Sequence, residues 1–451
     1  MRRLTLTTIG TLGDLHPFIA IGLALKERGF SPLLAVAEDQ EAKARAAGLD
    51  TVAILPSFES IRREMGISKE DAVRLLMSSQ REFLERILLP SLASCTRALD
   101  EVSADAEAII ATPFVFAAPI IAEKRAIPLI IAVLQPMAML SSYDPPSTPD
   151  FWMAKQAPVG RAGALWNGAV YATMRQFLKR FYSQQLDAVR IEHGLDAEGA
   201  ADMLEPQRKA ALVLGCYSKI FGPLPADAPG NTKIVGFPFF DRRVGGKEVL
   251  VPVMSDFLRD GPAPVVFTLG TFAVDGAGRF YEQATATARS LGVRAVMLMG
   301  EKSDASVDGT IIRCGYVPHS LLFPHAAVIV HHGGVGTTGQ ALRAGKPQLI
   351  VPHMGDQSDH ARRIERMGLG LSLKANRFTA ARAVPILRKL LRTPSFQEEA
   401  DAARAIVCRE HGSEEAVTSI VGMLRGRLLL QREDEQSTRA GVETPSEDID
   451  R

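Results

Sequence analysis

The sequence predicts an α/β protein of two doubly wound, Rossmann-like domains facing one another across a cleft. Three observations carry this expectation. Short β-branched runs alternate with longer amphipathic segments almost throughout, as in parallel strands joined by crossover helices. The series restarts after residue 260. And 451 residues are too many for one ordinary hydrophobic core.

In chain order, LTLTTI (4–9) reads as the first strand, PFIAIGLALKERG as a helix and PLLAVA (32–37) as the second strand. Residues 57–104 look mostly helical, and AEAIIAT, IPLIIAV and ALVLG are further strands. SSYDPPSTPDFW (141–152) is a loop by its prolines. After the restart come PVVFTLG, a helix around 278–291, VRAVMLMG, TIIRCG, AAVIV, a helix from 337, QLIVP and a helix from about 358. The Pro- and Gly-rich stretch 223–246 is read as a linker. It separates a first domain, 1–222, from a second, 247–410; a C-terminal helix, 411–430, is expected to pack back on the first domain, with a polar tail at 431–451.

Composition narrows the function. Hydrophobic content of 46% with 23% charged residues is that of a folded globular protein. The formal net charge of +1 recruits neither nucleic acid nor an anionic surface globally. Four cysteines, about a hundred residues apart, have no zinc spacing and read as reduced thiols in a cytoplasmic protein. The apolar run 126–140 is too short to span a bilayer and contains Gln135 and two prolines, so any membrane contact is expected to be peripheral. Oligomeric state is not encoded legibly.

The densest stretch is VHHGGVGTTGQALRAGKPQLIVPHMGDQ (330–357). A buried strand, AAVIV, should enter a glycine-rich turn from which a helix departs, with Gly345 helping to end that helix. Unpaired N–H groups and the positive end of the helix dipole then point at an anion, and Thr337 and Thr338 can cap the helix or reach a phosphate. Gly334, Gly336 and Gly339 spell G-x-G-x-x-G, so a nicotinamide site is one candidate. Asp356 and Asp359 lie near the ~20-residue distance of a ribose acid, but Pro352 to Gly355 intervene where that acid normally closes the next strand. A metal site from His331, His332, His353 and Asp356 is a second candidate; it lacks an H-E-x-x-H pattern. A nucleotide-sugar diphosphate is the third and fits best. The turn and a histidine would hold the diphosphate, and the Asp-Gln pair would hold sugar hydroxyls.

This stretch resembles the donor signature of family 1 glycosyltransferases, which have the GT-B fold. It is especially similar to bacterial members acting on lipids, sterols, flavonoids and antibiotic aglycones, among them the rhamnosyltransferase of rhamnolipid synthesis. RAIPLI, IVGFPFFD, VVFTLGTF and CGYVPHSLLFPHA extend the likeness over nearly the whole chain. The resemblance implies that His331 contacts the diphosphate, with Gly333, Gly334, Gly336 and Thr337 around it and Gly13, Gly270 and Thr271 nearby. It places Tyr316 against the base and Val317 on its edge, and Asp356 and Gln357 on the sugar. His332 aligns with a variable position.

The turn TIGTLGDLHPF supplies the other half. Plant members carry a catalytic His after the second glycine; here, as in many bacterial relatives, the residue is Asp14. A carboxylate there can take the proton of an attacking hydroxyl. The plain alternative is a helix cap. His16 is assigned to the acceptor pocket. Plant members also have a ribose-binding Glu where this chain has Gly339, which implies weak choice between UDP- and dTDP-sugars, UDP-glucose being the first guess. The expected activity is inverting, metal-independent hexosyl transfer to a small apolar acceptor, with the nucleotide sugar as co-substrate and no other cofactor. A nucleotide-binding oxidoreductase and a non-catalytic sugar-nucleotide or lipid-binding homologue remain the alternatives.

Overall fold

The computed structural model describes residues 2–68, 80–157, 159–240, 250–270, 278–300 and 305–440. Seven strands form the first sheet: β1 (Arg3–Thr7), β2 (Ser31–Ala37), β3 (Asp50–Leu55), β4 (Ala106–Ala111), β5 (Leu129–Val133), β6 (Leu212–Gly215) and β7 (Thr232–Ile234). They are parallel throughout, in the order β3-β2-β1-β4-β5-β6-β7. The second sheet contains β8 (Val265–Thr268), β9 (Ala295–Leu298), β10 (Ser306–Asp308), β11 (Ile311–Cys314), β12 (Val328–His331), β13 (Gln348–Ile350) and β14 (Gly370–Ser372). Its order is β10-β11-β9-β8-β12-β13-β14, parallel except for the edge hairpin β10–β11. Without that hairpin strand both sheets share one winding: the chain runs outward one way, returns, and runs outward the other way. The reversal falls beside β1 in one domain and beside β8 in the other. In such sheets ligands collect outside the carboxyl ends of the strands at that reversal.

The central strands read as near-continuous aliphatic runs because helices cover both faces. Leu4, Leu6, Ile109, Ile110, Val266, Phe267, Ile329 and Val330 are all fully buried. β3, β7, β10 and β14 are edge strands with weaker patterns. β7 corrects the domain boundary: Thr232–Ile234 pairs with β6, so the first domain runs past residue 222 and takes up part of the expected linker.

Five helices shape the site and its surroundings: α1 (Leu12–Glu27), α2 (Arg161–Glu192), α3 (Val335–Ala344), α4 (Gln357–Arg366) and α5 (Gly412–Ala440). Ala416, Val417, Ile420 and Leu424 of α5 lie in the same apolar cluster as Leu4, Phe18 and Ile19 of the first domain. α5 also continues past residue 430 to Ala440, where the polar sequence suggested a tail.

Between the domains an apolar seam, with Phe221 and Phe237 at 6.1 Å between ring centroids, sits beside a buried ionic one. Arg363 of α4 is 5% exposed. Its Nε donates to Asp359 at 2.6 Å, and its Nη1 lies 2.7 Å from the Asp144 carboxylate of the first domain. Asp359 also accepts the Ser147 backbone N–H at 3.0 Å, and Arg362 donates to the Ala157 carbonyl at 2.6 Å. The Pro-rich loop 141–157 is thus fastened to α4. Substituting Arg363→Leu takes the buried cation from Asp359 and leaves Asp144 only the more exposed Arg366, at 3.7 Å. The expected loss is about 3 kcal/mol of unfolding free energy, the lower end for opening a buried pair because Asp144 keeps some solvent. Equilibrium denaturation measures it; an unchanged midpoint would show that the seam is not held this way.

Candidate active site

α1 starts shortly after β1, and its first turn is a capping box. Thr11 is the N-cap, and its Oγ1 accepts the Gly13 N–H at 3.2 Å. Asp14, at the third helical position, accepts the Thr11 N–H through Oδ2 at 2.7 Å. Gly10 makes room for this: its φ is +144°, and a Cβ there would stand 2.2 Å from Asp14 Oδ2. Asp14 therefore does hold the cap, as the plain alternative required, yet the carboxylate is also half-buried at the carboxyl end of β1, where the winding reverses. Burial pushes its pKa up to about 6 against the pull of the Thr11 N–H, and Asp356 of the opposite domain adds repulsion. Gly13, expected near the donor, has its N–H committed to Thr11. The His16 ring packs edge-on against Phe240 at 5.6 Å.

The second half lies at the carboxyl ends of β8 and β12. Gly334 is the N-cap of α3 and supplies no side chain, so the first N–H groups of the helix have no side-chain cap. A Cβ at Gly336, in the first turn, would meet open space. Thr337 comes next, 8% exposed, and the Thr338 hydroxyl turns inward to the Gly334 carbonyl at 2.9 Å. An exposed, uncapped helix N-terminus beside a glycine turn is a seat for an anion.

The two adjacent histidines divide differently from the expectation. His331, the last residue of β12, is fully buried. One ring nitrogen meets Gln348 Oε1 at 2.9 Å and the other accepts the Gly333 N–H at 3.1 Å. Burial lowers its pKa to about 4, so it is a neutral, internally satisfied strut with no group left for a diphosphate. Gly333 is committed too: its carbonyl meets His360 Nδ1 at 2.7 Å. His332 instead stands between the glycine turns. A Cβ at Gly270 would lie 2.7 Å from its ring, and one at Gly334 2.4 Å. Gly270, at φ +69°, leads out of the β8 end toward Thr271, which lies outside the described residues. Burial holds the His332 pKa well below that of free imidazole. Its Nδ1 has no hydrogen-bond partner among the described residues. Strand geometry held the signal for this: successive residues at a strand end face opposite ways, so His331 and His332 cannot share a role.

Asp356 precedes α4 and does not cap it through its side chain. Burial raises its pKa, opposed by His360, whose Nε2 is 3.6 Å away. His360 is fully buried and was not singled out by sequence; its place one turn after Asp356 was the available clue. Gln357 is nearly buried, and its Oε1 accepts the N–H groups of His353 and Met354 at 2.8 and 3.1 Å. It braces the turn carrying Asp356. Tyr316 is half-buried and Val317 buried just after β11, at the same end of the sheet. Among the described residues, no three His, Cys, Asp or Glu side chains converge as a metal site.

Substituting His331→Ala opens a cavity and strands Gln348, so it should cost stability, about 2–4 kcal/mol. His332→Ala should leave the melting temperature nearly unchanged and weaken nucleoside diphosphate binding. Calorimetric titration with thermal denaturation of both variants separates the two; the reverse pattern would restore His331 to the ligand.

Known proteins resemble both domains of this chain. The glycosyltransferase family 28 N-terminal domain matches residues 4–142, and the erythromycin biosynthesis protein CIII-like C-terminal domain matches 284–423. An O-mycaminosyltylonolide 6-deoxyallosyltransferase from Streptomyces fradiae is 27% identical, covering 98% of this chain and all of its own length. A sterol 3-beta-glucosyltransferase from Candida albicans is 26% identical over 99% of this chain, which spans only 30% of that protein. Among solved structures, the kitacinnamycin glycosyltransferase superposes with a TM-score of 0.68 at 18% identity, covering 94% of this chain and 99% of its own. The spinosyn rhamnosyltransferase SpnG, complexed with thymidine diphosphate, has a TM-score of 0.64 at 17% identity, covering 93% and 100%. With both halves matched in order and the fold shared, the chain belongs with the bacterial and fungal family 1 glycosyltransferases of the GT-B fold.

Proposed function

We propose that this protein transfers a hexose from a nucleoside diphosphate sugar to a hydroxyl of a small apolar acceptor, with inversion at the anomeric carbon. The observation that carries the reading is the Asp14 carboxylate, its pKa raised to about 6, standing at the end of β1 opposite Asp356. A base for an alcohol needs to be ionised at neutral pH and still basic enough to draw a proton, and such a carboxylate is both. The acceptor oxygen, losing its proton to Asp14, attacks the anomeric carbon; the bond to the diphosphate breaks and its electrons leave with the nucleotide. His332 and the uncapped α3 N-terminus would meet the growing negative charge, doing work a cation does elsewhere. Asp356 would hold sugar hydroxyls, while Gln357, with its carbonyl already used, fixes that turn. Tyr316 and Val317 would contact the base. No resident cofactor is needed by these steps. Three of the four unpaired cysteines are buried, which suits a reducing cytoplasmic setting.

The Streptomyces relative acts on a macrolide by its name, and the Candida relative on a sterol. Both are bulky and largely apolar, which supports an acceptor of that character for this chain. An oxidoreductase reading fares worse because it gives the half-buried Asp14 carboxylate no chemical role beyond the helix cap.

The role given to Asp14 has two measurable consequences. Asn can still accept the Thr11 N–H, so Asp14→Asn should fold normally while kcat falls about 10²–10⁴-fold, the usual cost of losing a general base. In the wild type, kcat/KM should rise with pH through about 6 as Asp14 ionises, and that limb should vanish in the variant. A folded Asp14→Asn enzyme with normal turnover would move the role elsewhere.

The nucleotide choice depends on position 339. A Cβ there would press on the Phe237 ring at 3.0 Å, so no ribose-binding acid fits without moving Phe237. A missing neutral hydrogen bond is worth roughly 0.5–1.5 kcal/mol, about tenfold at most. UDP-glucose and dTDP-glucose should therefore differ by no more than about tenfold in kcat/KM. A thousandfold preference, measured with one acceptor, would mean another residue reads the ribose.

A further inference from the structure

Helix α2 of the first domain carries a surface that the catalytic reading does not use. Its inward side is firmly fixed. Asn167 is fully buried; its amide donates to the Ser142 and Lys155 carbonyls, and its carbonyl accepts the Lys155 N–H at 2.7 Å. The Tyr171 hydroxyl donates to the Ser141 carbonyl at 2.9 Å, and that of Tyr182 to Glu85 at 2.7 Å. The outward side should then be polar, as on any solvated helix. Instead Leu165 is 77% exposed and Phe181 57%, with Trp166 and Phe177 between them also exposed. The Phe177 and Phe181 rings pack against each other, tilted by 36°, at 4.3 Å between centroids. The turn before the helix adds Trp152, 79% exposed, and Met153. It is stitched to the helix by the Trp166 indole N–H, which donates to the Met153 carbonyl at 2.9 Å. Trp152, Met153, Leu165 and Trp166 gather at the start of the helix and the Phe177–Phe181 pair lies further along it, so that from Leu165 to Phe181 the exposed apolar side chains span about 24 Å of the axis.

Cations predominate around this face, although the exposed Asp150 lies beside Trp152. From residue 151 to 186 there is no Asp or Glu. Lys155, Arg161, Lys179 and Arg180 lie in that span, and among the described residues none has an acidic partner; the Lys155 ammonium rests over the Trp166 ring at 5.9 Å. Arg175, by contrast, is answered by Glu205. No described helix is long and apolar enough to cross a membrane. Tryptophan, phenylalanine and leucine flanked mainly by cations is the composition that partitions into the headgroup region of an anionic bilayer.

We infer that this face, Trp152, Met153, Leu165, Trp166, Phe177 and Phe181 ringed by Lys155, Arg161, Lys179 and Arg180, docks the protein on the surface of an anionic phospholipid bilayer. The rings enter the interface, the cations meet phosphates, and the helix lies in the plane of the membrane. Docking of this kind is independent of the transfer reaction and holds for any activity of the cleft.

The protein carries its own reporter, since its only two tryptophans, Trp152 and Trp166, are both in this face. Adding vesicles of phosphatidylcholine with roughly a third phosphatidylglycerol to the full chain should shift tryptophan emission to the blue and carry the protein into the vesicle pellet. Raising salt from about 0.1 to about 0.5 M should weaken the binding. The double variant Leu165→Glu/Phe181→Glu keeps both tryptophans and alters only exposed positions. Its melting temperature should match the wild type, and its vesicle partitioning should fall by about tenfold or more. Lys179→Glu/Arg180→Glu should remove the preference for phosphatidylglycerol over phosphatidylcholine alone. The inference is overturned if no vesicle shifts the emission, or if Leu165→Glu/Phe181→Glu binds as the wild type does. It is overturned equally if the blue shift appears with protein concentration alone and tracks a dimer by size exclusion, which would give the face to a second copy.

Discussion

A parallel sheet covered on both faces has nowhere to present chemistry except the ends of its strands, and the organisation of this protein derives from that restriction. The fully buried runs in β1, β4, β8 and β12 exclude ligands from the sheets themselves. What remains open is the carboxyl end, where the winding reverses and neighbouring helices diverge. Asp14 stands there in one domain, and Gly270, His332 and the start of α3 in the other. Bringing two such ends together makes one site from two folds of the same kind, each half supplying a different polarity. The first contributes a carboxylate; the second contributes uncapped amides and a neutral histidine.

The same restriction shapes the electrostatics. Groups at these ends are removed from water, so their ionisation is moved: Asp14 and Asp356 upward, His331 and His332 downward. The directions suit the proposed transfer. A carboxylate made more basic accepts a proton more readily, and a histidine kept neutral can donate a hydrogen bond without holding a discharged nucleotide by charge. The Arg363 network behind the site has another character, with its cation fully answered by Asp144 and Asp359. It fastens the loop of one domain to the helix that begins at the Asp356–Gln357 turn of the other.

Much of this was legible in the sequence, and the reason is local. Central parallel strands must be aliphatic along their whole length, so PLLAVA, LIIAV, VVFT and AVIV announce themselves. The turns at Gly10 and Gly334 are legible because close backbone approach demands glycine. The resemblance to family 1 glycosyltransferases rested on those same turns. What could not be read depends on direction or on distance in the chain. β7, β10 and β14 are three residues each, too short for a period. The division of labour between His331 and His332 depends on which way each ring leaves the strand end, and the resemblance gave the ligand role to His331, whose two ring nitrogens are engaged inside the domain. Gln357 looked like a sugar ligand because nothing local shows that its carbonyl is consumed by the turn at His353. The pairing of Arg363 with Asp144 spans two domains and leaves no mark in either segment.

The central claim is a single displacement driven by one carboxylate, and the configuration of the product tests it most directly. An α-linked nucleotide sugar and any accepted hydroxylated acceptor suffice, with proton coupling at the anomeric carbon read by NMR. The account predicts a β-linked product formed without a covalent glycosyl-enzyme. An α-linked product would require a second nucleophile or a front-side path, and would contradict the role given to Asp14.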